Sequence, residues 1–253
     1  EALKIAFFDD SWALFQDMVA LQVAAKNPDE AFEYAERSRA RSLLAATQQS
    51  TLSRTRTLAD IKRQLPPSAV IVRYATLPDR ILIWTIDSRR TSLVERRFAE
   101  RDLTRLVDQH RESIRDQRER AANDQLYTLL IEPVAAALPP SAVVVLVPDG
   151  PLQQLPFATL RHPLTRKYLI EDHTLLVSPS ASFFVDARAA AVDRERAPLA
   201  SALLVGNPEA GGARALPGAE NEVSMASALY PLHEILVGRR ATKDRFLELA
   251  PAF

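Results

Sequence analysis

The 253 residues carry 32 basic and 32 acidic side chains and are 47% hydrophobic. That balance excludes a global field favouring nucleic acid or an anionic membrane, and no uninterrupted apolar run is long enough to span a bilayer. With no cysteine, these residues form no disulfide and no thiolate metal site, and they hold no cysteine nucleophile.

An apolar-periodic run from Ala2 to Ala25 predicts a helix that breaks at Lys26-Asn27. Asn27 is suited to cap a second helix, with Pro28 at its first position and Asp29 and Glu30 at the positive end of its dipole. Ala31, Ala35, Ser38, Ser42 and Ala45 form a small-residue stripe that admits a close neighbour, so the two helices are expected to form a tight hairpin. A polar stretch, Gln48 to Thr57, then leads to the capping pattern Thr57-Leu58-Ala59-Asp60 and a short helix ending before Pro66-Pro67.

Three β-prone runs follow, AVIVRYA, ILIWTID and TSLVERRF, spaced as an antiparallel meander. Leu103, Leu106, Val107, His110 and Ile114 mark one face of a charged helix, and another helix is expected from about Asn123 to Leu138. From Val143 the rhythm alternates strand and helix: VVVLV, TLLVS, ALLVG and HEILVG are strands, with helices near SASFFVDARAAAV, PGAENEVSMASAL and ATKDRFLELA. Strands without polar alternation belong to a sheet covered on both faces, so the class is α/β.

Motifs for chemistry are few. GNPEAGGAR lacks the spacing of a phosphate loop and reads as a strand-to-helix connection. Ser178, Ser180 and Ser182 have no nucleophile elbow around them and read as helix caps. His110, His162, His173 and His233 are scattered without metal-ligand spacing, and Asp149-Gly150 reads first as a turn. No cofactor and no metal is expected.

In order, AFEYAERSRARSLLAA, LADIKRQLPPSAVIVRYATLPDRILIWTI, VVVLVPDGPLQQLPFATL, YLIEDHTLLVSPSAS, LLVGNP, LPGAENEV and ATKDRFLELA resemble the landmarks of the CHAT domain, a caspase-like peptidase module usually attached to tetratricopeptide repeats. The resemblance implies a repeat-like helical hairpin over 1–50, an α+β subdomain with the meander over 51–140, and the first part of a caspase-like α/β sheet over 141–253. It also implies that the strands ending in a catalytic His and a nucleophilic Cys lie beyond residue 253, so no catalytic role is assigned to any residue here. The parent protein is then expected to be a cysteine endopeptidase. The alternative is a degenerate module that binds a partner protein without catalysis.

By the same resemblance, the loop from Asn207 to Gly218 walls the pocket for the substrate residue before the cut, which nominates Asn207, Arg214 and Leu216. Arg214 either confers an acidic preference through paired hydrogen bonds or stands on the surface without selectivity. The expected partners are a protein partner or substrate on the repeat-like helices and the remaining C-terminal segment of the same domain, with no nucleic acid and no membrane. The expected location is cytoplasmic.

Overall fold

A computed structural model describes residues 2–47, 55–116, 121–195, 201–209 and 216–253; at 2–12, 41–47, 193–195 and 217 it describes the backbone alone. The chain divides into two compact units, Glu1–Arg188 and Ala189–Phe253. Both mix helices with strands, and the α/β class read from the sequence holds.

The first unit opens with the hairpin of α1 (Ala2–Ala24) and α2 (Pro28–Thr47), followed by α3 (Leu58–Gln64). Lys26 takes a left-handed φ of 60° at the corner. At α3 the Thr57 hydroxyl accepts from the Asp60 amide at 3.2 Å, as the capping pattern predicts. Strands β1 (Ala69–Leu77), β2 (Arg80–Ile86) and β3 (Thr91–Arg97) form the expected antiparallel meander. Helices α4 (Glu100–Arg115) and α5 (Ala121–Leu130) precede β4 (Val143–Val147), the short α6 (Leu169–Asp172), β5 (Thr174–Val177) and the start of α7 (Ala181–Glu195), whose residues from Ala189 on are assigned to the second unit. The helix expected to continue to Leu138 stops at Leu130 and resumes as a 3₁₀ turn over Glu132–Ala137, because Pro133 at its start has no amide to continue the α ladder.

Strand order in this unit is β3-β2-β1-β4-β5, with β1, β4 and β5 mutually parallel. The meander and the first two strands of the alternating region therefore share one sheet. Side-chain alternation along β1 sends Val70, Val72 and Tyr74 to a core with α4 and α5, and Ile71 and Ala75 to a core with the hairpin, α3 and α7. On that second face Phe32 of α2 meets Trp84 edge-on at 6.2 Å, and the Trp84 indole donates to the Pro28 carbonyl at 3.0 Å. Full burial of a Phe such as Phe32 contributes about 1.5–3 kcal/mol. The stripe residues Ala31, Ala35 and Ser38 are buried, while the side chains of Ser42 and Ala45 lie outside those described. The hairpin is thus one layer of an α/β/α stack.

The second unit holds β6 (Ser201–Pro208), α8 (Pro217–Ser227), β7 (Leu232–Gly238) and α9 (Lys243–Leu249). Here β6 and β7 pair in parallel as a two-stranded sheet, and most of their described side chains are half-buried or exposed. Parallel strands are ordinarily covered on both faces.

Candidate functional site

The loop nominated from the sequence begins where β6 ends. A methyl group on Gly206 would stand 2.6 Å from Val223 Cγ2 and 2.7 Å from the Ala219 carbonyl oxygen, so a bare glycine is what lets α8 lie against the strand. Asn207 follows at a left-handed φ of 46°, a conformation Asn tolerates better than most residues. Its side-chain oxygen accepts from the Leu216 amide at 2.7 Å and its Nδ2 donates to Glu220 Oε1 at 2.6 Å. The carboxamide therefore ties the end of β6 to Leu216 and to the first turn of α8. The Leu216 side chain is 60% exposed beside that clasp. Asn207 and Leu216 are brought together; Arg214 lies outside the described residues.

The remaining sequence candidates take structural positions. The Ser180 hydroxyl accepts from the Phe183 amide at 3.0 Å and caps α7 as the sequence predicts, while the Ser178 hydroxyl donates to the Ser180 carbonyl at 2.8 Å. His110 is buried on α4 with Nε2 2.8 Å from Thr159 Oγ1, and burial lowers its pKa below the ordinary value. His162 Nδ1 accepts from the amides of Leu164 and Thr165 in a tight turn. His233 Nδ1 lies 3.0 Å from the Tyr230 carbonyl. Among the described residues no three His, Cys, Asp or Glu side chains are placed to hold a metal ion.

A denser constellation lies in the first unit, at the C-terminal ends of its parallel strands, the edge where open α/β sheets usually build ligand sites. Arg73 interrupts the apolar run of β1 and is buried, its side chain 2% exposed. Its Nε donates to Glu36 Oε1 at 3.3 Å and its Nη2 to the Ala35 carbonyl at 3.1 Å. Glu36, 1% exposed, projects from α2 and also reaches the start of α7. Its Oε1 accepts from the Ala181 amide at 3.3 Å, and its Oε2 accepts from the Ser182 amide and hydroxyl, both at 2.9 Å.

Beside this pair stands a second one. Asp149, just past β4, accepts the Thr76 amide on Oδ2 at 3.0 Å, and its Oδ1 lies 3.9 Å from Arg39 Nη1. Arg39, one helical turn beyond Glu36, donates through Nε to the Pro179 carbonyl at 3.2 Å. Burial, and next the neighbouring Arg73 charge, pull the Arg39 guanidinium below its usual range, against the opposing pull of Asp149 and Glu36. Two cations and two anions leave the cluster neutral. The adjoining cavity, lined in part by Arg73, Thr76 and Asp149, holds about 20 Å³.

Sequence reasoning read Asp149 first as a turn residue and missed Glu36, Arg39 and Arg73. One local sign was available: an arginine in the middle of AVIVRYATL, where the strand is otherwise suited to full burial.

No curated protein matches the chain. The CHAT domain family model matches residues 120–252, more than half of the length. The hairpin and the meander precede the match, whereas the turn at Asp149, the capped start of α7 and the Asn207 clasp all fall within it. On that match, the chain belongs to the CHAT domain family.

Proposed function

We propose that these residues are the non-catalytic framework of a CHAT-type cysteine endopeptidase, one that hydrolyses protein substrates through a Cys-His pair lying beyond residue 253. The observation that carries this reading is the family match over 120–252 in a stretch that contains no cysteine at all. Thiol attack on a scissile carbonyl needs a sulfur and a base within hydrogen-bond reach. The sparsely covered parallel pair β6–β7 supports the same reading, since such strands call for further sheet and helix around them. In this picture 1–50 is a repeat-like hairpin, 51–140 a supporting subdomain, and 141–253 the opening of the peptidase sheet.

The test is active-site labelling of the full-length protein with a peptidyl electrophile, followed by mass-spectrometric mapping. The adduct is expected on a cysteine outside residues 1–253; an adduct on any residue within them contradicts the proposal. Specificity is tested at the clasped loop. If Arg214 selects acidic residues, Arg214→Ala in the full-length enzyme lowers kcat/KM for peptides cut after Asp or Glu by roughly tenfold or more and leaves neutral ones alone. Equal rates on both classes remove Arg214 from the pocket.

A second reading, a partner-binding module without catalysis, draws on the exposed apolar side chains Leu216, Met225, Leu229 and Leu232, which a bound protein would cover. The labelling experiment separates the two, because a binding module takes up no electrophile.

A further inference from the structure

The polar cluster is arranged as a binding site that already has its ligand. The first three amides of α7 are donors that the helix itself leaves unpaired. Ser180 takes that of Phe183; those of Ala181 and Ser182 both point to one carboxylate, which comes from a helix about 145 residues earlier. That carboxylate receives in addition the Ser182 hydroxyl and the Arg73 Nε, so four donors from two elements converge on two oxygens. The dipole of the 15-residue α7 favours a negative charge at the same point. Arg73 Nη1 is buried there with no hydrogen-bond partner among the described residues.

We propose that the C-terminal edge of β4 and β5 is a carboxylate-binding site, and that Glu36 of α2 occupies it as an internal ligand. The donors belong to β1 and α7, which are elements of the sheet and its connection; α2 contributes the acid. The hairpin is held on the sheet by apolar packing of Phe32 and Ala31 and by the contacts of Arg39 with Asp149 and the Pro179 carbonyl, and Glu36 joins it to the first amides of α7. A segment that displaced α2 from this edge would have to bring a carboxylate to the same depth, because a neutral group leaves Arg73 as an uncompensated buried charge. The site stands independently of any peptidase chemistry, since none of its residues is assigned a catalytic part.

Chemical rescue tests it. Glu36→Ala removes a fragment the size of acetate and leaves the donors in place. In the 253-residue chain this variant is expected to melt below the wild type, and sodium acetate is expected to raise its Tm with saturation, beyond the effect of sodium chloride at equal ionic strength. The wild type, with the seat filled, shows no acetate-specific rise. Adding Arg73→Met to Glu36→Ala abolishes the rescue. Equal responses to acetate and chloride in Glu36→Ala overturn the proposal. Should that variant fail to fold, Glu36→Gln keeps the shape and loses the charge. Amide exchange at Ser182 is then expected to quicken at least about tenfold while β2 stays protected, because a charge-assisted bond is replaced by a neutral one. Unchanged protection at Ser182 overturns the proposal by that route.

Discussion

A methyl group at position 206 has nowhere to go: the atoms it would strike are a packed valine and a helix carbonyl, and neither is the free end of a flexible chain. Gly206→Ala is therefore expected to push α8 off β6 and to cost about 1–3 kcal/mol, read as faster amide exchange throughout α8. Exchange at the wild-type rate would show that the helix yields without loss. His110 makes a different prediction. Its imidazole is buried against Thr159 and its pKa is lowered by that burial, so the folded state disfavours the proton relative to the unfolded chain. The stability it contributes is fully present above its ordinary value near 6.5 and is lost as pH falls through the lowered folded value. Melting temperature should fall from pH 7.5 to pH 5 more steeply in the wild type than in His110→Gln. Parallel slopes would remove His110 from the acid response.

At the level of elements, the buried cluster joins α2, β1, the turn after β4 and the start of α7, and its members are not equivalent. Arg73→Met leaves Glu36 charged in a buried seat and is expected to destabilise by about 3–5 kcal/mol in urea unfolding. In an isolated buried pair, replacing the second charge as well restores much of the loss. Here Glu36→Leu on top of Arg73→Met also strips the acceptor from the Ala181 and Ser182 amides, so the double variant should be no more stable than Arg73→Met alone. Recovery toward wild type would mean that Glu36 matters only to Arg73. This is also where the sequence stops being readable. Caps such as Thr57 with Asp60 and Ser180 with Phe183 span three residues and follow from local chemistry. Glu36 meets Arg73 across 37 residues and Ser182 across 146, and Arg39 reaches Pro179 across 140. Those meetings depend on strand order, and nothing local in VVVLV tells that it pairs with AVIVRYA in parallel. Asn207 was legible only as the end of a β-prone run, and it lies within β6; its hydrogen bonds to Leu216 and Glu220 were not, because they join residues 9 and 13 positions apart.

For the whole molecule, the first unit satisfies the usual demands of an α/β layer: its three interior strands, β2, β1 and β4, are buried on both faces, with helices above and below. The second unit, described by itself, presents parallel strands with little cover, and exposed Leu216, Met225, Leu229 and Leu232 around them. The contrast sets a layered first unit against a second whose described strands are mostly half-buried or exposed. The proposed function places peptide hydrolysis outside these 253 residues. Incubating the purified 253-residue chain with a library of fluorogenic peptide amides tests it most directly. No turnover above buffer is expected at any concentration of the chain; hydrolysis that scales with the amount of chain and saturates with substrate would contradict the proposal.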